Sequence, residues 1–199
     1  LDLPTGTTVL DYSDGVSEPT WDRNRDGLLL RGGYSSVVRF SPYDHSVITL
    51  PTGFYVERPR ISPDGKTVLY ECDYYHNYDP LDNLCRMDAA GNVTLYKSIA
   101  NAVSWSPFGI LDYVRSLDWT QVARMLVIEP LQAQPNPDGP GATEYPGFDD
   151  VTETVWSPDG QRLALVRNGE LWIYSMPGLT NPVRIAQVSG TRISSVSWL

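Results

Sequence analysis

Two stretches, Arg60-Ile-Ser-Pro-Asp-Gly-Lys-Thr-Val-Leu-Tyr70 and Val155-Trp-Ser-Pro-Asp-Gly-Gln-Arg-Leu-Ala-Leu165, share Ser-Pro-Asp-Gly followed by a β-prone run. Proline presets φ for the first corner of a turn and Asp-Gly supplies the residues that reverse a strand, so the shared tetrapeptide is a hairpin tip. A third copy reads Val103-Ser-Trp-Ser-Pro-Phe-Gly109, and a looser one reads Pro19-Thr-Trp-Asp-Arg-Asn-Arg-Asp-Gly-Leu-Leu29. A fifth begins at Ser195-Val-Ser-Trp-Leu199. Taken as equivalent anchors, Trp21, Ile61, Trp105, Trp156 and Trp198 recur at intervals of 40, 44, 51 and 42 residues. That period belongs to a four-stranded propeller blade.

The fourth copy predicts the rest of the unit. Residues 163–166 form a strand, Asn168-Gly169 gives a two-residue turn of the primed type, residues 171–174 return, and residues 183–186 make the outer strand. No segment carries a helical apolar period of helical length, so the class is all-β: a β-propeller of four-stranded antiparallel blades. The single domain spans residues 1–199, with repeats near 18–58, 59–101, 102–152 and 153–194, and residues 195–199 opening a further blade.

These residues resemble the WD-like repeat of TolB and of the propellers of prolyl-oligopeptidase-type enzymes, whose units run Ser-Pro-Asp-Gly, a strand, then a strand ending near Met-Asp-x-x-Gly. That ending stands here as Arg86-Met-Asp-Ala-Ala-Gly91 and, more loosely, as Tyr174-Ser-Met-Pro-Gly178. The resemblance covers nearly the whole chain and implies a fold that serves many unrelated functions. The Ser-Pro-Phe-Gly tip and the longer first tip depart from the pattern, so those two blades are expected to be irregular. Bulky anchors just before each tip are expected to pack between neighbouring blades as core rather than to face a ligand.

Residues 7–10 read as an outer strand lacking its own blade, and residues 195–199 as a first strand lacking the rest of its blade. Three arrangements follow. The ends meet in a ring of about five blades with one incomplete, or the chain is a piece of a larger ring of about six to eight, or the end strands pair with another copy of the chain. The second fits best, because the last repeat stops before its turn. The first residue is Leu1 rather than Met and no basic and apolar leader precedes it, which fits a processed or trimmed chain.

Composition narrows the partners. With 41% hydrophobic and 20% charged residues over 199, the chain reads as a soluble globular protein able to bury a core without a metal. Its net charge of -9 opposes a phosphate backbone and an anionic membrane surface, and no apolar run is long enough to span a bilayer. Nucleic acid and membrane insertion are therefore excluded as expectations.

Cys72 and Cys85 are the only cysteines, and alignment on the fourth repeat sets them opposite each other across a hairpin. A cross-strand disulfide is expected there, with two inert buried thiols as the alternative, and it implies an oxidising, extracytoplasmic address: periplasmic, cell-surface or secreted. The loop between them contains Tyr74, Tyr75, His76 and Tyr78. Tyrosine offers rigid amphipathic contact area at low entropic cost, so these four are the candidate binding residues for a protein or carbohydrate partner; a hairpin that packs its own tyrosines is the plainer reading.

Asp22, Asn24 and Asp26 match the first half of a calcium loop, yet Gly33 stands where a bidentate glutamate is required, and an enlarged hairpin tip explains the segment without metal. Calcium is the one cofactor the sequence suggests. Residues 132–150, rich in Pro and Gly, denote a surface excursion without regular hydrogen bonding. Asn92-Val-Thr94 matches a glycosylation pattern at an expected turn. No nucleophile elbow, zinc-protease motif or phosphate loop is present, and only two histidines occur, which points away from catalysis. Paired carboxylates assembled from different blades are the remaining route to an active site.

Overall fold

The computed structural model describes residues 16–21, 27–41, 43–44, 46–53, 55–73, 83–116, 124–130, 141–187, 193 and 196–198. Among them lie sixteen strands and no helix. The first sheet holds β1 (Val16–Trp21), β2 (Leu28–Gly32), β3 (Ser36–Phe40) and β4 (Val47–Pro51). The second holds β5 (Val56–Ile61), β6 (Val68–Cys72), β7 (Asn83–Met87) and β8 (Val93–Ser98). The third holds β9 (Ala100–Trp105), β10 (Ile110–Ser116), β11 (Arg124–Pro130) and β12 (Thr143–Pro146). The fourth holds β13 (Val151–Trp156), β14 (Arg162–Arg167), β15 (Glu170–Ser175) and β16 (Thr180–Gln187). Each is an antiparallel meander in chain order, the form of a propeller blade.

The first strands gather around one axis. β5 touches β1 and β9, β9 touches β13, and Arg60 on β5 reaches Glu153 on β13 at 3.2 Å. Each first strand carries a register shift. On β5, Arg58 and Pro59 together oppose Tyr70; on β9, Ala102 and Val103 oppose Tyr113. Arg58 and Ala102 take positive φ of 48° and 52°, and the shifts in β1 and β13 fall between Ser17 and Thr20 and between Val151 and Glu153. A bulge bends and twists the strand that carries it, as a crowded axis requires.

The middle strands of the second and third blades are largely buried on both faces because each of these blades has a neighbour on either side, whereas β15 of the fourth blade has one buried residue in six. All five residues of β6 are buried. Three apolar clusters join the blades in series. Leu29 and Val37 of the first meet Val56, Val68, Tyr70 and Met87 of the second. Leu69, Leu84 and Tyr96 then meet Val103, Leu111 and Val127 of the third, and Val114, Leu126 and Ile128 meet Trp156, Leu163 and Leu165 of the fourth.

The tips follow the turn chemistry of their sequence. Ser62 N–H donates to the Thr67 carbonyl at 2.7 Å, Gly65 N–H to the Ser62 carbonyl at 2.9 Å, and the Ser62 hydroxyl to Asp64 at 2.6 Å. Ser157, Asp159, Gly160 and Arg162 repeat the same bonds. These bonds hold the Asp64 and Asp159 carboxyls below the usual carboxylate range, the serine hydroxyl being the largest cause. The Ser-Pro-Phe-Gly tip is irregular by one residue: Ser106 N–H reaches the carbonyl of Ile110, a loop one shorter than the other two. Asn168 and Gly169 both have positive φ, 50° and 73°, as the primed turn demands.

One expectation is corrected. The excursion over residues 132–150 contains a regular strand, β12, which pairs with β11 from Met125 opposite Pro146 to Ile128 opposite Thr143. An outer edge left open on β11 exposes unpaired backbone groups, and Tyr145 packs its ring against the cluster below.

Phe108, at 69% exposure, lies over the neighbouring tip: a Cβ added at Gly160 would meet Phe108 Cε2 at 2.6 Å, and Gly160 has a φ of +67°. Gly160→Ala is expected to cost about 1 kcal/mol or more in urea unfolding, from the positive φ and the contact together. Adding Phe108→Ala should recover only the contact part, leaving a residual loss; full recovery would remove backbone strain from the explanation.

Candidate binding face

Strand direction sorts the connections onto two ends of the blades. The hairpin tips lie at one end. The β2–β3 turn, the β14–β15 turn, the connection that leaves β6 at Cys72 and re-enters β7 at Asn83, and the crossings between blades lie at the other. On this second end the base of the tyrosine-rich loop is fixed covalently. Cys72 and Cys85 form a disulfide with a Cα separation of 5.9 Å, and both are wholly buried in the cluster between the first two blades. The pairing is diagonal rather than directly opposite, since Cys72 faces Asn83 and Cys85 faces Tyr70. Closing a 13-residue separation contributes about 3 kcal/mol in the chain-entropy account. Asn83, also buried, accepts the Ile99 N–H at 3.4 Å, which ties the loop base to the crossing into the third blade.

Tyr74, Tyr75, His76 and Tyr78 lie outside the described residues, as do Asp22, Asn24 and Asp26. Among the described residues no group of three or more His, Cys, Asp or Glu is placed to hold a metal ion.

Beside the loop base stands a second set of side chains. Tyr34, on the β2–β3 turn, is 76% exposed, and its ring centroid lies 5.5 Å from that of Tyr55 at a tilt of 53°. The Arg31 guanidinium sits 5.1 Å from the Tyr55 centroid and 3.5 Å from the Glu57 carboxylate, which also accepts the Tyr55 hydroxyl at 3.0 Å. Burial, then the bond to Glu57, raises the Tyr55 phenol above its ordinary value. A similar set closes the fourth blade, where Arg167 pairs with Asp150 at 2.9 Å and lies 5.1 Å from the Phe148 centroid. No motif links Tyr34, Arg31, Tyr55 and Glu57 in the sequence; their only signal there is a tyrosine in a turn and another at a blade crossing, both ordinary in composition.

Nearer the axis the polar groups are structural. Glu71 accepts Arg58 at 3.1 Å and the bulged Ala102 N–H at 2.8 Å, so one carboxylate ties two blades. Its burial raises the carboxyl above the usual range against the pull of both donors. Asp112 is wholly buried on β10, accepts the Ser104 hydroxyl at 2.5 Å and the Trp156 indole N–H, and has the Thr154 hydroxyl nearby. Burial pushes its carboxyl up to about 7 against the pull of these three donors.

A carboxyl raised in the folded state keeps its proton where the unfolded chain has lost it, so its contribution is complete below about pH 4 and is lost as pH rises through about 7. Urea unfolding of the native chain is expected to show stability falling by a few kcal/mol from about pH 5 to pH 8. Asp112→Asn should flatten that slope; an unchanged slope would place the titration elsewhere.

No protein-family model matches this sequence, and no curated protein matches it by sequence. Solved structures do match. A TolB protein from Agrobacterium tumefaciens superposes with a TM-score of 0.68 at 17% identity, over 91% of this chain and 65% of that one. An oligogalacturonate lyase in complex with manganese gives 0.58 at 14% identity over 85% and 53%, and the tricorn protease gives 0.54 at 12% over 86% and 27%. The chain thus spans less than two thirds of each, and at these identities the likeness is one of fold. The chain has the TolB-type β-propeller fold, built of four-stranded antiparallel blades, a fold that also occurs in enzymes.

Proposed function

We propose that the chain is a noncatalytic propeller scaffold, acting outside the cytoplasm, whose loop face holds a protein or carbohydrate partner. The observation that carries this reading is the buried disulfide at the base of the tyrosine-rich loop. A crosslink at that place fixes where the loop leaves the blade while leaving its residues free to differ, the usual division between a rigid scaffold and a recognising loop. It also needs an oxidising compartment to form and persist. Tyr74, Tyr75 and Tyr78 supply contact area, with His76 among them, and the axial carboxylates are engaged in holding blades together rather than facing substrate.

A second reading is favoured by the likeness to the tricorn protease: a recognition or gating propeller within a larger hydrolase. The two readings share the loop face and differ in what lies beyond it. Association of copies through terminal strands, and calcium at Asp22, Asn24 and Asp26, stay as lesser proposals.

The test is retention of a partner by the immobilised chain from an extracytoplasmic protein extract and on a glycan array. Replacing Tyr74, Tyr75 and Tyr78 together with alanine should abolish retention at an unchanged unfolding midpoint. Retention that survives the triple replacement contradicts the loop reading.

A further inference from the structure

Tyr34 is the most exposed of the large apolar side chains described, yet its backbone is hydrogen-bonded to the crossing beside it. Its carbonyl accepts the Val56 N–H at 3.1 Å, and the next carbonyl, of Ser35, accepts the Thr52 N–H at 2.9 Å. The β2–β3 turn is thereby stitched to the crossing between the first and second blades. Tyr55 backs the Tyr34 ring and is itself held by Arg31 on its face and Glu57 at its hydroxyl. An exposed aromatic on a fixed backbone loses little freedom when a ligand covers it, which lowers the entropic cost of binding.

We infer that Tyr34, with the Arg31–Glu57 pair beside Tyr55, is a binding subsite for a neutral pyranose ring of an oligosaccharide. The inference deepens the carbohydrate side of the proposed function and rests on it for the loop face. Three features select this ligand. The apolar C–H face of a pyranose matches the open face of a single tyrosine ring, whereas a specific protein interface needs about 800 Å² on each side. Arg31 and Glu57 already neutralise one another at 3.5 Å, so a charged ligand would have to displace a partner. Sugar hydroxyls can instead donate to the carboxylate and accept from the guanidinium at once, leaving the pair intact. Lastly, the net charge of -9 repels acidic polysaccharides over the whole surface.

The experiment is a titration of the ¹⁵N-labelled full chain with cellohexaose, maltohexaose and mannohexaose in turn, and with hexagalacturonate as the anionic contrast, followed by amide shifts. At least one neutral hexamer is expected to shift the amides of Tyr34, Ser35, Tyr55 and Glu57. Tyr34→Ala should weaken that affinity by about tenfold or more, with the unfolding midpoint unchanged because the ring is solvent-facing, and Glu57→Gln should weaken it through the lost charged acceptor. No shift with any neutral hexamer, shifts that Tyr34→Ala leaves intact, or stronger binding of hexagalacturonate would each overturn the inference. Shifts confined to residues 73–82 overturn it as well while leaving the loop face standing as the proposed function. Shifts at Tyr34 that persist when Tyr74, Tyr75 and Tyr78 are replaced uphold the subsite and count against the loop.

Discussion

The structure depends on how one blade grips the next, and part of that grip is made at the anchor positions Ile61, Trp105 and Trp156 of successive first strands. A blade is a half-buried sheet that cannot cover its own apolar faces, so stacking along the series supplies the core. At the contact the anchor indole also reaches back for a polar partner. Trp105 donates to the Arg60 carbonyl at 3.4 Å and Trp198 donates to the Val155 carbonyl at 3.1 Å, in each case the residue just before the preceding anchor. Trp156 breaks the series by donating to the Asp112 side chain. The third blade therefore offers a buried carboxylate where the others offer backbone, and it pays with a desolvated acid whose proton affinity is raised.

Further out, the second and third blades are joined by a buried ion pair, Lys97 with Glu129 at 3.2 Å, which also takes hydroxyls from Tyr96 at 2.9 Å and Tyr113 at 3.3 Å. Such a pair adds little net stability over an apolar substitute, but removing one member leaves an uncompensated charge in the core. At the axis, Glu71 holds Arg58 of its own blade and the Ala102 N–H of the third, and Arg60 of the second blade reaches Glu153 of the fourth. The apolar clusters carry the stacking, and the polar ties cross the same contacts.

Local chemistry made much of the fold legible. Ser-Pro-Asp-Gly and Asn-Gly encode turns within a few residues, and the recurrence of the first displays the blade period. The strand at residues 143–146 is not legible locally because it exists only by virtue of an edge on β11, which the surrounding sequence does not contain. The disulfide is legible in the sequence but its register is not: in the fourth blade Arg167 faces Glu170 and Trp172 faces Leu165, so the matching Cys72 and Cys85 stand two residues out of direct opposition. The Tyr34 cluster was invisible for a deeper reason: Arg31, Tyr34, Tyr55 and Glu57 come from two blades and become neighbours only through the crossing that joins them. Sites on propellers are assembled between repeats, whereas repeats are what a sequence displays.

The central claim, that the anchor contacts hold the blades together, is tested most directly by comparing urea unfolding of Trp156→Phe and Trp105→Phe. Trp156 is 7% exposed and holds a buried carboxylate, whereas Trp105 is half-buried with a longer bond to a carbonyl. The account predicts a loss of about 2–4 kcal/mol at Trp156, from the cavity and the acid left short of a donor, and about 1 kcal/mol at Trp105. Equal and small losses at the two positions would contradict it.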